Sequence, residues 1–412
     1  MKHFVKICLM LVFTAVFMYP CTSAIITGRA SESGRPILWK HRDTGALENK
    51  VVHLKGEKYA FTGIYNVSDT LNREMWMGTN ETGFSIMNTA SYNITEGLTW
   101  DKEKDQEGLF MKKALGLCAT VEEFEAFLKS QSGLWGIETN IGVIDAQGGA
   151  AFYETGYHKF VKYDVNDPAV APSGYLIRTN FSFAGEPHDG QGYIRYTETS
   201  DLFQKEMLKG KLSVEFLLKK ATRNMHHGLL KREIWDDYLP EDFNDEYMVS
   251  LQDYVVRYWS ASVLVVEGIK KGEDRGATTL WTLLGFPLTT LVTPVWIGSG
   301  DLLPSVLVSD NGKNPPIVDW SLTLKKRCFP YSKGNSHAYI NSAPLKNKQQ
   351  NGYVQKLVPM EDHIISQTKT LQEQFYKSGV SSKDVKRFNK WLDDYVRSAY
   401  ETYFDQMGIK YP

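Results

Sequence analysis

Few side chains in this sequence are suited to covalent chemistry on a substrate. Among 412 residues there are four cysteines, Cys8, Cys21, Cys118 and Cys328. A cysteine acts as its thiolate, so something nearby must accept the proton. Cys21 stands out by position, because it follows a basic and then apolar N-terminal stretch. If the chain is cut between Pro20 and Cys21, the thiol and a free α-amine belong to one residue. Such an amine ordinarily titrates at about 7.7–8.0 and can take the thiol proton near neutral pH. No histidine is then required. The unit still needs a carboxylate to orient the amine, neutral donors for a tetrahedral oxyanion, and a cation. Asp43 closes Lys40-His41-Arg42-Asp43, the end of the second strand of a hairpin that begins at Cys21. An antiparallel return brings Asp43 beside the thiol; the alternative is an exposed ion pair at a polar strand end. Asn88 and Asn180 sit at the ends of short strands among apolar neighbours. A buried Asn must be hydrogen-bonded, so each is either a structural cap or a donor of the site.

The N-terminal stretch has Lys2, His3 and Lys6 ahead of an apolar run over 7–19. That run is shorter than the roughly 20 residues needed to span a bilayer, and its layout is that of an export signal. Three endings are open. Thr22-Ser23-Ala24 offers a cut after Ala24, which removes Cys21. A lipidated Cys21 is a second, against which Met18-Tyr19-Pro20 lacks the expected small residue. The third is the cut before Cys21. The expected location is secreted or periplasmic. No later segment reads as a membrane span, since 278–297 is broken by Gly285, Pro287 and Pro294.

The elements that must position these residues follow from pattern. The β-branched run 22–27, the Ser/Gly turn 29–35 and the extended 36–40 predict a hairpin. Strand pairs are expected over 51–65, 74–91 and 138–163, and strands over 259–267 and 277–296. The spacing of Leu115, Leu117, Val121, Phe124 and Leu128 predicts a helix over 112–130, with a weak capping box at Thr120 in its middle. A helix capped by Ser213 is expected over 213–224, and helices over 358–407 with a break near 379–382. The polar segment 343–353 reads as a linker. Strand blocks alternating with helix blocks predict an α+β layered fold rather than a βαβ series.

Composition removes several classes. Apolar residues are 42% and charged residues 23%, as in ordinary globular proteins. A net charge of −1 and a pI near 6.8 argue against a nucleic-acid binder. Four cysteines are too few for a disulfide scaffold, and His226-His227 and His158 with Glu154 lack the spacing of a metal-ligand set. Cys118 and Cys328 read as core. Sequons occur at Asn66, Asn80, Asn93 and Asn180. No cofactor is expected.

Several motifs in one order carry a resemblance. The opening Cys21-Thr22-Ser23-Ala24-Ile25-Ile26-Thr27-Gly28, then Trp39-Lys40-His41-Arg42-Asp43, the turn Asn80-Glu81-Thr82-Gly83-Phe84 leading to Asn88, the hairpin from Asp145 to Glu154, and Thr179-Asn180 form the set. It resembles the acyl-coenzyme A:6-aminopenicillanic acid acyltransferase family of N-terminal-nucleophile cysteine hydrolases, with choloylglycine hydrolases and penicillin V acylases more distant. The resemblance spans about 21–180 and thins beyond. It implies a four-layer αββα sandwich with the nucleophile at the start of the first strand, and favours the cut before Cys21. It further implies Cys21 as nucleophile, Asp43 orienting the amine, and Asn88 and Asn180 serving the oxyanion and the substrate carbonyl. Lys40 stands where the bile-salt relatives have Arg, and Arg195 matches a late family Arg loosely; both are expected at the substrate.

The resulting expectation is an export segment 1–20, a hydrolase domain 21–342 and a C-terminal helical extension 354–412. The last carries an apolar stripe that would pack on the core or on a second subunit, so a homo-oligomer is among the partners expected. The substrate expected is a small N-acyl amide, cleaved or transferred through a Cys21 thioester. A related cysteine dipeptidase and a non-catalytic secreted or lipid-anchored binding protein are the alternatives.

Overall fold

In the computed structural model, the residues described are 21–96, 105–406, 408, 410 and 412. The expected export segment 1–20 lies outside them. Two antiparallel sheets form the centre. The first chain segments build β1 (Thr22–Ile26), β2 (Ile37–Asp43), β3 (Asn49–Lys55), β4 (Ala60–Asn66), β5 (Met77–Asn80) and β6 (Ser85–Ala90). Next come β7 (Thr139–Ile144), β8 (Ala150–Thr155), β9 (Phe160–Asp164) and β10 (Tyr175–Arg178). Two short ribbon strands, β11 (His226–His227) and β12 (Arg232–Glu233), pair with each other. They precede β13 (Met248–Ser250), β14 (Ser260–Glu267), β15 (Thr279–Leu284) and β16 (Thr293–Trp296), while β17 (Tyr339–Asn341) pairs with β13. One main sheet runs β10-β1-β2-β14-β15-β16; the other runs β3-β4-β5-β6-β7-β8-β9.

The sheets lie face to face, with β1 over β7 and β8, and β2 over β6 and β7. Strand alternation decides what each residue meets. On β1, Ile25 reaches Gly142 and Ser23 Oγ hydrogen-bonds Thr89 Oγ1 at 2.6 Å, both across the sandwich. On β2, Trp39 faces the other way, where its ring meets Phe203 and its Nε1 donates to Thr222 Oγ1.

Helices cover both outer faces. α1 (Glu107–Leu117) and α2 (Val121–Lys129) bury Phe110, Met111, Leu115, Phe124 and Leu128 against Phe61, Phe84, Ile86 and Tyr153 of the seven-stranded sheet. α3 (Tyr193–Met207), α4 (Pro316–Cys328), α5 (Tyr353–Ser378) and α6 (Ser382–Gln406) cover the six-stranded one. Trp296 sits edge-on to Phe375 of α5 and Phe388 of α6, and Trp320 of α4 packs on Tyr400 of α6. The α+β, four-layer αββα sandwich expected from the sequence is therefore the architecture observed. No described helix is long and apolar enough to cross a membrane.

Strands form in each segment where they were expected, whereas the short β11, β12, β13 and β17 had no predicted counterpart; the helices differ more. The single helix expected over 112–130 is two, because Cys118 is extended and the Thr120 side chain accepts from Glu123 N to start α2. The 213–224 segment winds as a π-helix over Phe216–Ala221, entered where Ser213 Oγ accepts from Phe216 N. α3 and α4 had no predicted counterpart. α3 begins at Gly192 without a side-chain cap, whereas α4 has Pro at its first turn, a readable signal. The expected linker 343–353 is packed: Ala343, Leu345 and Asn347 are buried, and the helix already starts at Tyr353. Cys118 and Cys328 are buried, as read.

The family-like motifs have local structural work. Asn80 Oδ1 accepts from Thr82 N and Phe84 N, while its Nδ2 donates to the carbonyls of Leu115 and Cys118; Gly83 supplies the positive φ of 82° that the turn needs. Asp145 accepts from Gln147 N, Gly149 N and Val121 N. Glu154 pairs with Arg178, not with a metal partner, and accepts from Ala184 N. His158 stands by Glu96, and His226 by Glu198. Among the described residues no cluster of metal-ligating side chains forms. Asn80, Asn93 and Asn180 are buried, so three of the four sequons are closed to a glycan in the folded chain.

Candidate active site

Cys21 opens β1 at the edge where several segments converge. It is buried, and its Sγ lies 3.7 Å from the carbonyl oxygen of Asp43, to which the thiol donates. The β1–β2 register, Thr22 opposite His41, makes this unavoidable: the residue before Thr22 falls beside the end of β2. The same alternation splits the Lys40–Asp43 run. Lys40 and Arg42 point into the sandwich, where Lys40 meets Asn88 and Arg42 donates to Asn49 Oδ1 at 2.8 Å; Asp43 points to the opposite face.

The Asp43 carboxylate is held at both oxygens. Arg257 Nη2 pairs with Oδ2, and Ser260 Oγ donates to Oδ1 at 2.6 Å. Ser260 Oγ also accepts from Arg257 N, and Ser260 N donates to Arg257 O, so the two belong to one tight turn. The β2–β14 ladder shifts register between Ser260 and Ser262, a bulge that places this turn beside Asp43. Neither Arg257 nor Ser260 belongs to a readable motif; only the pairing of strands more than two hundred positions apart brings them here.

Arg195, near the start of α3, reaches across to the start of β1. Its Nη1 donates to Cys21 O at 2.5 Å and to Thr22 Oγ1 at 2.9 Å, and its Nη2 donates to Asn180 Oδ1 at 2.8 Å. Asn180 Nδ2 donates to Ala90 O at 2.7 Å. Cys21, Asp43, Asn180 and Arg195 are thus one connected group. Lys40 and Asn88 form a second chain: Lys40 Nζ donates to Asn88 Oδ1 at 2.6 Å and Trp76 O at 3.0 Å, and Asn88 Nδ2 donates to the Glu107 carboxyl. The Ser23–Thr89 bond ties the two chains together, since Thr89 follows Asn88 on β6. Lys40 and Arg195, expected at the substrate, have these donors engaged on the chain itself. Glu107 was not anticipated, because its α1 location gives no hint of a β6 partner.

Burial dominates the electrostatics. It pulls the Lys40 ammonium down to about 8, and the Arg42 and Arg195 guanidinia to about 10 and about 9; the Cys21 charge opposes the shift in all three. All three remain cations at pH 7. The three cations thus lie within electrostatic reach of Cys21. Burial pushes Glu107 well above the usual carboxylate range, with Asp105 adding to it. Beside the group lies a cleft of 340 Å³ lined by the 190–195 segment, Asp253 and Arg257.

No protein-family model matches the chain, and no curated protein matches it. Among solved structures, it is similar to a Caenorhabditis elegans ortholog of N-acylethanolamine-hydrolyzing acid amidase at 19% identity, covering 45% of this chain and 79% of that one, with a TM-score of 0.35. It is similar to a variant conjugated bile acid hydrolase from Clostridium perfringens at 11% identity, over 68% of this chain and 93% of that one, with a TM-score of 0.42. Penicillin V acylase from Agrobacterium tumefaciens gives 13% identity, 68% and 86% coverage and a TM-score of 0.33.

Proposed function

We propose that the protein is a cysteine amidohydrolase of the N-terminal-nucleophile kind. Its particular reaction is cleavage of a linear carbon–nitrogen amide through a thioester on Cys21. The observation that carries this reading is the convergence on one residue: the Cys21 thiol donates to the main-chain carbonyl of Asp43, and the Cys21 carbonyl is held by Arg195. In this reading residues 1–20 are removed on export to the periplasm or medium, and the freed amine of Cys21 is oriented by Asp43. The amine takes the thiol proton, and the thiolate attacks the acyl carbonyl. The Asn180 amide and the surrounding cations stabilise the oxyanion, with Asn88, whose amide N–H groups point to Glu107 and Thr139, acting through Lys40. The carbon–nitrogen bond breaks as the α-ammonium returns its proton to the leaving amine. Water, or a second amine, then attacks the thioester and frees the thiol.

The test is N-terminal sequencing of mature protein, followed by turnover of a panel of N-acyl amides by wild type and Cys21→Ala. A mature chain starting at Cys21, with turnover abolished in the variant, is expected. A mature chain starting at Ile25, or full turnover by Cys21→Ala, overturns the reading.

A further inference from the structure

A second cavity, of 310 Å³, shares Gly190 and Gln191 in its lining with the cleft described above. Ser91, Tyr92, Thr95, Glu138, His188 and Asp189 line it. Glu138 is the unusual member. It stands just before β7, where its carbonyl accepts from Ser91 N, and it is only 5% exposed. Among the described residues, its carboxylate has neither a hydrogen-bond donor nor a cation in reach. Its carboxylate oxygens open on the cavity rather than being sealed in the core, so an occupant can pair with them there.

The surroundings define what that partner is. Asp189, at the exposed rim, adds a second carboxylate. The described lining has no Lys or Arg. Tyr92 offers an aromatic face, and burial raises its hydroxyl, keeping it a neutral phenol. Carboxylates flanking an aromatic ring match an organic cation, by charge and by attraction to the ring face. The charges of Cys21 and Glu107, and against them those of Arg195 and Arg257, all act on Tyr92, which puts the cavity within electrostatic reach of the Cys21 group.

We propose that this cavity holds a positively charged group of the substrate, an alkylammonium or guanidinium on one end of the amide that Cys21 cleaves. The inference rests on the reading of Cys21 as nucleophile. Two matched substrate sets test it with full-length mature protein. One places the charge on the acyl half: Nα-acetyl-lysyl, Nα-acetyl-norleucyl and Nα-acetyl-glutamyl coumarylamides. The other places it on the amine half: butyramides of putrescine, butylamine and 4-aminobutyrate. In one set the cationic member is expected to exceed its neutral partner in kcat/KM by about tenfold or more, and Glu138→Gln is expected to bring that ratio to within about threefold. No cation preference in either set, or an unchanged ratio in Glu138→Gln, overturns it. If that variant fails to fold, Asp189→Asn at the exposed rim is expected to lower the ratio at least about threefold, and an unchanged ratio again overturns it. Absence of all turnover by wild type would sink the nucleophile reading instead. The cavity is then judged by calorimetry with butylammonium chloride and butanol. Tighter binding of the cation, weakened in Glu138→Gln, supports it; equal binding overturns it.

Discussion

Lys40 and His41 are neighbours on β2 that face opposite layers, and each shows how burial sets chemistry. His41 is fully buried, and desolvation lowers it from 6.5 to about 4, with Asp43 opposing. The unfolded chain therefore binds this proton first as pH falls. Stability from His41 is intact above about 6.5 and is lost as pH falls toward about 4. Between pH 7 and pH 5 wild type should lose about 2 kcal/mol more than His41→Gln, read from urea midpoints. Equal losses would show that His41 is not held neutral. Lys40 donates to Asn88 and to the Trp76 carbonyl. Lys40→Met leaves both acceptors unpaired in a buried place, so kcat/KM should fall about tenfold to a hundredfold while the chain still folds. Wild-type kinetics in that variant would remove Lys40 from the site. The residue types of this pair were legible, but their partners were not.

At the scale of elements, the site depends on where helices and strands begin. Gly192 starts α3 with φ of 84°, and a Cβ there would come within 2.3 Å of Arg195 Nη2. The glycine therefore makes room for the guanidinium that holds Cys21 and Asn180. Gly192→Ala costs about 1 kcal/mol of backbone strain and displaces Arg195. Turnover should drop at least about tenfold, with only a modest fall in Tm. A crystal structure of the variant with Arg195 in place and full activity would refute this role. The β1–β2 hairpin was readable because β-branched residues flank a Ser/Gly turn, and with it the placement of Asp43 beside Cys21. The Arg257–Ser260 turn was not, because a bulge opposite Asp43 leaves no signature in its own local sequence.

For the whole molecule, the C-terminal helices decide whether the six-stranded sheet has an outer layer. Glu361 of α5 is fully buried, accepts both Arg223 Nη1 and Nη2 at 2.9 and 2.8 Å, and accepts from Val292 N at 2.6 Å. Removing one partner of such a pair strands the other charge, so Glu361→Ala should cost about 3–5 kcal/mol in chemical denaturation. A loss below about 1 kcal/mol would mean that α5 is only loosely attached. The sequence reading of 343–353 as a linker failed for a related reason. Polar side chains there make local bonds, such as Asn347 Nδ2 donating to Ala343 O and Asn347 Oδ1 accepting from Asn351 N, while Leu345 is carried into the core. Composition registers the first and misses the second.

What the sequence determined by itself is what local chemistry and short-range pattern can encode. It marked the one cysteine with a distinctive position, the hairpin that returns Asp43 to it, the α+β layering, and the turn at Asn80. Tertiary structure decided which distant groups complete the site. Arg257 and Ser260 reach Asp43, Arg195 bridges Cys21 to Asn180, and Glu107 backs Asn88, each across a sheet or between layers. Those contacts depend on strand register and on which face a side chain leaves from. Both are fixed only when the two sheets pack and a one-residue slip would turn the apolar set outward.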